Sequence, residues 1–164
     1  MARYSASWTS ITAAAVADTT TFTAGQAMGF LRSGAATQQL RVNEVYIGGE
    51  DTASTPMTAL FARTSTISVG ALSVGNNALL DAVSTAPGTT AAWGSTAATT
   101  FPQRSSTLQL LNLSLNTYGG IARWQARYGE EITAYGNTAS LGELCLSSKA
   151  GTGKSSGHII YEVV

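Results

Sequence analysis

The chain has 164 residues, a size typical of one domain, and its nine Lys+Arg balance its nine Asp+Glu. Charged residues make up 11% of the chain and the basic ones are scattered, a pattern that disfavours binding to nucleic acid or to an anionic membrane surface. No run approaches the roughly 20 apolar residues that cross a bilayer, and the region around Arg3 does not predict a secretion signal.

Runs of alternating apolar and polar residues recur along the chain between Gly, Pro, Asn and Ser, which predicts an all-β protein. The predicted strands, in chain order, are Arg3–Trp8, Gln38–Gly48, Met57–Thr66, Leu79–Val83, Leu108–Leu115, Ile121–Tyr128, Glu131–Tyr135, Leu141–Ser147 and His158–Val164. Residues 24–33 contain glycines and are predicted to hold at most a helical turn. Eight or nine strands in a single domain, residues 1–164, are typical of an antiparallel β-sandwich of the jelly-roll type.

The alternation also predicts which side chains point inward. In the strand at 38–48, Leu40, Val42, Glu44 and Tyr46 are expected to share one face. The predicted core comprises Leu40, Val42, Leu108, Leu110, Leu111, Leu113, Trp124, Leu144 and Ile160. Because only one face of a strand points inward, another layer or another subunit is expected to cover part of the Leu111 and Leu113 face.

Two segments rich in Ala and Thr lack strong patterning, and we predict an extended N-terminal arm at 1–23 and a long loop at 84–106. Small residues permit close backbone approach, and bulky residues within such segments are typical interface anchors. The candidate interface residues are Trp8, Trp93, Phe101 and Pro102.

No motif for catalysis or cofactor binding is complete. Gly151-Thr152-Gly153-Lys154-Ser155 resembles the end of a phosphate-binding loop, but the first glycine of the motif is replaced by Ser148, and a strand is expected to follow. We therefore expect a hairpin loop there. His158 lacks sequence neighbours for a metal or triad, and Cys145 is expected to be a buried hydrophobe. The sequence predicts no catalytic residue, no cofactor, no metal and no enzymatic activity.

The order of segments resembles small virion proteins encoded in the structural-gene clusters of tailed bacteriophages, which have jelly-roll or sandwich folds and are often described as capsid decoration proteins. The segments that carry this resemblance are Gln39 to Gly49, Ala62 to Thr66, Leu80-Asp81-Ala82 with Ala86-Pro87, Ile121 to Ala126, and Gly129-Glu130-Glu131-Ile132.

This resemblance implies a structural subunit of the virion, made in the host cytoplasm and bound to the outer surface of the capsid. The expected partners are the major capsid protein and further copies of the chain in a homo-oligomer, a trimer, because the neutral surface offers little to prevent association. The alternatives are a tail or fibre component and a carbohydrate-binding, receptor-recognition module, with Trp93 as a ligand contact. A hydrolase with a carboxylate pair assembled by the fold is a third class.

Overall fold

A computed structural model describes residues 3–8, 27–67, 76–80, 89–93, 102–151 and 153–164. These residues form antiparallel strands and contain no helix long and apolar enough to cross a membrane. The strands are β1 Arg3–Trp8, β2 Ala27–Ser33, β3 Gln39–Glu50, β4 Pro56–Thr66, β5 Asn76–Leu79, β6 Thr89–Trp93, β7 Gln103–Asn116, β8 Tyr118–Gln125, β9 Ile132–Tyr135, β10 Glu143–Ala150 and β11 Ser155–Val163.

The strands build two sheets that pack face to face as a β-sandwich. The first sheet has the order β5-β1-β11-β3-β8, with β9 also paired to β3, and the second has the order β6-β2-β10-β4-β7. The pairs β1 with β11, β2 with β10, β3 with β8 and β4 with β7 are nested, as in one long hairpin folded over on itself. This nesting is the jelly-roll arrangement predicted from the sequence, and β5 and β6 extend it at one side.

The core lies between the sheets because successive residues of a strand point to opposite faces. Its buried members are Tyr4, Ala6, Leu31, Leu40, Val42, Val45, Ile47, Met57, Ala59, Phe61, Leu113, Leu115, Ala134, Leu144, Leu146, Ile159 and Tyr161. Tyr4 and Tyr161 stack with ring centroids 5.5 Å apart and join β1 to β11. The predictions for Leu40, Val42, Leu113 and Leu144 are confirmed, while Leu110, Leu111 and Trp124 are partly buried against this core.

The predicted face of β3 is wrong beyond Val42. Val42 pairs with Tyr161 and Glu44 pairs with Ile160, so Asn43 is an extra residue in β3 and forms a β-bulge. The bulge reverses the alternation. Glu44 therefore lies on the outer face, and Val45 and Ile47 point into the core in its place. Ile160 also lies on the outer face and is not a core residue.

The prediction for Leu108 is wrong because β7 does not pair continuously with β4. Ala62 pairs with Gln109 and Thr64 with Arg104, so residues 105–108 of β7 are opposite Arg63 alone. Within this excursion the Leu108 backbone N–H donates to Ser105 Oγ at 3.1 Å. Leu108 is consequently 40% exposed.

Two other predicted segments, 24–33 and 84–106, differ from the structure. Residues 27–33 form strand β2 rather than a helical turn. Leu31 is buried in the core between the sheets and Phe30 in the cluster on the opposite face, and this burial outweighs the low strand propensity of Gly29. Residues 3–8 form β1, between β5 and β11, which confirms the strand predicted at Arg3–Trp8 within the N-terminal arm. Within the predicted loop, 89–93 form β6 and 103–106 begin β7. Residues 9–23, 84–88 and 94–101 lie outside the described part of the chain.

Both faces of the second sheet are buried near its centre. Leu31 and Leu144 point into the core, whereas Phe30 and Cys145 form a second buried cluster on the opposite face. Arg104 reaches this outer face, where its Nη1 donates to the Ser148 carbonyl at 3.2 Å. The outer face of the second sheet is therefore not available to a partner at its centre.

Candidate functional site

A polar cluster lies on the outer face of the first sheet, around Glu44. Arg123 Nη2 of β8 donates to Glu44 Oε2 at 2.8 Å, and His158 Nε2 of β11 lies 3.0 Å from Glu44 Oε1. The His158 ring stacks on Tyr46 with centroids 5.1 Å apart and planes 9° from parallel. The antiparallel register creates this cluster, because Tyr46 pairs with both Arg123 and His158.

The electrostatics of the cluster keep Glu44 ionised. Its side chain is almost completely buried, and desolvation opposes the charge, but the hydrogen bond from Arg123 outweighs this and, helped by His158, lowers the pKa of Glu44. Since an ionised carboxylate is only an acceptor, His158 Nε2 carries the proton in this contact. The cluster is a satisfied ion network that fixes β8 and β11 to β3.

The stability of the protein is expected to depend on Glu44 through pH. Because folding lowers the pKa of this carboxyl from its usual 4.5, its stabilisation is complete above that value and is lost as pH falls through the folded pKa. Denaturant unfolding of Glu44→Gln should show the largest loss of unfolding free energy near neutral pH and a smaller loss at about pH 3. Glu130→Gln, on an exposed carboxyl, is the control; a loss for Glu44→Gln that does not vary with pH would contradict this assignment.

A cleft of about 290 Å³ adjoins the cluster. It lies where two short strands, β8 and β9, together occupy the single position next to β3 at the edge of the sheet. β9 pairs with residues 39–42 of β3 and β8 pairs with residues 44–50, so the break coincides with the bulge at Asn43. Ala126 N–H donates to the Asn43 carbonyl at 2.8 Å and starts the connection 126–131. The cleft is lined by Arg3, Asn43, Glu44, Gln125, Ala126, Tyr128, Glu131 and Ile160.

A tight turn forms the rim of this cleft. Glu130 N–H donates to the Arg127 carbonyl at 2.9 Å, and Gly129 has φ +83°. A positive φ at the third residue of a four-residue turn is the type II geometry, which strongly favours glycine there. The Gly129 N–H also donates to Glu131 Oε1 at 3.1 Å. Tyr128, the second residue of the turn, is thereby held fully exposed at the rim.

Neither of the two carboxylates of the cleft has the raised pKa of a glycosidase general acid. Hydrogen bonds from the backbone of Glu131 and Gly129 lower the pKa of Glu131, and that of Glu44 is lowered as well. The general acid of such an enzyme needs a raised pKa. Elsewhere, burial raises the pKa of the Cys145 thiol to about 12, so this cysteine is a poor nucleophile.

Most of the candidate interface side chains from the sequence lie outside the described part of the structure. Trp8 and Trp93 have their backbones in β1 and β6, and their side chains lie outside the described part of the structure. Phe101 also lies outside the described residues. Pro102 is buried within the described part of the chain, and its place at an interface stays a prediction.

The glycine-rich segment at 151–155 connects the two sheets. Its last residue, Ser155, begins β11 rather than a helix, so the backbone of a phosphate-binding loop is not formed. The predicted hairpin is also wrong, because β10 and β11 belong to different sheets. Across the described ranges, no group of three or more His, Cys, Asp and Glu side chains is placed to hold a metal ion.

The residues that sequence reasoning missed are those brought together across strands. Glu44 and His158 are 114 residues apart, and Glu44 and Arg123 are 79 apart. The one local signal was Tyr128-Gly129, a pair that fits the second and third positions of a type II turn.

No protein-family model, curated protein or solved structure matches the chain.

Proposed function

We propose that this chain is a structural subunit of a tailed-bacteriophage virion, which binds the outer surface of the capsid as a decoration or cement protein. In this proposal it acts by protein contacts rather than by catalysis, and its partners are the major capsid protein and further copies of itself in a trimer. The observation that carries the proposal is a row of exposed apolar side chains along one edge of a jelly-roll sandwich.

The row follows β8 and β9 at the edge of the first sheet. Tyr118 and Ile121 are each 64% exposed, and Tyr135 is 55% exposed. Gly48 is the cross-strand partner of Ile121 and has no side chain to cover it. Tyr118 and Ile121 lie near one end of this edge, opposite Glu50 and Gly48, and Tyr135 lies near the other end, opposite Gln39. Exposed apolar groups are typical of protein contacts, and an edge strand adds unpaired backbone groups.

The rest of the molecule favours the same edge. The centre of the outer face of the second sheet is already buried within the chain, through Phe30 and Cys145. The chain also has a formal net charge of zero, so close packing of many copies meets little electrostatic repulsion. A subunit that binds the assembled shell shifts the equilibrium toward that shell and so stabilises it.

The proposal is tested by locating the chain in an image of the virion and counting its copies. Density on the outside of the head, in many symmetric copies, is the expected result. A few copies per particle, or density confined to the tail, would overturn the capsid assignment and favour a tail or fibre component.

An edge variant tests the surface itself. Ile121→Glu places a charge in the proposed contact and is expected to weaken association, with the head or between copies, by at least about tenfold, equal to about 1.4 kcal/mol. Leu80→Glu is the matched control, since Leu80 is 54% exposed and follows β5 at the opposite edge of the sheet. Equal effects of the two variants would contradict the choice of edge.

A further inference from the structure

We propose that the cleft at the Asn43 bulge binds an uncharged, hydroxyl-rich ligand of the size of one sugar ring, with the Tyr128 ring stacked on it. The proposal is separate from the capsid role, since it concerns the cleft and not the apolar edge. It also differs from the sequence-based alternative in which Trp93 contacts a glycan.

The size of the cleft limits the ligand. Pockets for drug-sized molecules have volumes of about 300–1,000 Å³, and this cleft, at about 290 Å³, lies just below that range. Its half-open shape leaves the remainder of a larger molecule in solvent. A terminal sugar residue of a chain fits these two conditions.

The lining provides both donors and acceptors. Asn43 and Gln125 contribute amide groups, each able to donate and accept, and Glu131 contributes carboxylate oxygens. The Asn43 Nδ2 is buried and has no hydrogen-bond partner within the described part of the chain, so it is an unused donor that reaches a ligand only when the side chain turns toward the cleft. Hydroxyl groups, which donate and accept at the same oxygen, match such a mixed lining.

The charges around the cleft favour an uncharged ligand. Arg3 Nε contacts Glu162 Oε1 at 2.7 Å, and Glu44 contacts Arg123 at 2.8 Å. Glu131 accepts the Gly129 N–H and experiences the positive charge of Arg41. Each formal charge of the lining therefore has a compensating neighbour, and neither an anion such as phosphate nor a cation finds a strong net field.

Tyr128 supplies an exposed apolar ring on a turn whose backbone is already fixed. The type II turn at 127–130 holds its side chain fully exposed, although a tyrosine ring buried against a partner gains substantial hydrophobic stabilisation. The backbone of the turn is already fixed by Gly129 and by the Glu131 carboxylate, so binding requires little further ordering of the chain. The C–H face of a sugar ring stacks on such an aromatic surface.

The test is a titration of the ¹⁵N-labelled full chain with glucose, galactose, mannose and N-acetylglucosamine, each to about 20 mM, followed by two-dimensional NMR. At least one sugar is expected to cause saturable shifts of the Asn43 and Gln125 side-chain amides and of the Gly129 backbone amide. Tyr128→Ala should weaken that binding by at least about tenfold. Tyr118→Ala, which removes another exposed tyrosine far from the cleft, should leave it unchanged, and the spectrum of each variant shows whether it is folded.

Three results would overturn the proposal. They are the absence of saturable shifts with every sugar, equal losses from Tyr128→Ala and Tyr118→Ala, and saturable binding of inorganic phosphate at the same amides. A second variant, Gln125→Ala, keeps the test open if Tyr128→Ala does not fold. Because the titration uses the isolated chain, its outcome is independent of where the chain lies in a virion.

Discussion

Replacement of Leu144 by alanine is expected to lower the free energy of unfolding by about 2–5 kcal/mol. Leu144 is completely buried at the centre of the second sheet, where it pairs with Leu31 on β2 and Arg63 on β4 and points into the core. Alanine removes apolar atoms of this side chain and leaves a cavity. The strands around the cavity cannot move to close it, because backbone hydrogen bonds to β2 and β4 hold β10 on both sides. Denaturant unfolding followed by circular dichroism measures the loss.

The chain provides two leucine controls for this experiment. Leu141 is 60% exposed and Leu108 is 40% exposed, so alanine at either position is expected to change the unfolding free energy by less than about 1 kcal/mol. The unfolding free energy of Leu108→Ala also distinguishes the structure, in which Leu108 is exposed, from the sequence-based prediction, which placed this residue in the core. A loss at Leu108 as large as that at Leu144 would contradict the excursion of β7.

Replacement of Gly151 by alanine is expected to cost about 2–5 kcal/mol, the sum of backbone strain and overpacking. Gly151 has φ +79° in the connection from β10 to β11, a conformation that side chains disfavour. An added Cβ would also collide with the Pro56 carbonyl oxygen and lie 3.1 Å from Met57 Cα. Both contacts are backbone of β4, which cannot move without disturbing the second sheet.

Gly119 provides the matched control for the steric part of this effect. It has φ +70°, but nothing lies within 4 Å of an added Cβ. Gly119→Ala therefore carries the strain alone and is expected to cost about 1–2 kcal/mol. Unfolding midpoints of the two variants, measured in the same denaturant series, separate the terms. Equal losses would mean that the connection at Gly151 shifts without cost.

The strand content and the sandwich were predictable from the sequence because alternation is a local property. The runs that became β4, β10 and β11 were recognisable as strands, and Leu144 of β10 was correctly placed in the core, whereas Ile160 of β11 was not. The outer face of β3 was not predictable, because the bulge at Asn43 is determined by pairing with β11 and leaves no mark in the local pattern. The prediction for Leu108 was wrong for a similar reason, since the exposure of this residue depends on how β7 pairs with β4.

The candidate site was less predictable than the fold. Its side chains come from β1, β3, β8, the connection after β8, and β11, and their approach depends on strand order and register. His158 was interpreted as isolated because its carboxylate partner, Glu44, is distant in sequence and was assigned to the wrong face. The small-residue segments attracted attention through their composition, whereas the exposed apolar edge consists of ordinary strand residues whose exposure only the topology determines.

The central place of β11 in the first sheet has a consequence for how the chain folds. β11 separates β1 from β3, and Arg3 of β1 contacts Glu162 across 159 residues of sequence. Topologies dominated by such distant pairings close large loops before they gain contacts, and they fold in about milliseconds to seconds rather than microseconds. During synthesis, β1 and β3 lack their shared neighbour until β11 has left the ribosome. Over that interval, unpaired strand edges and an uncovered apolar face are open to nascent chains nearby, so correct folding competes with misassembly.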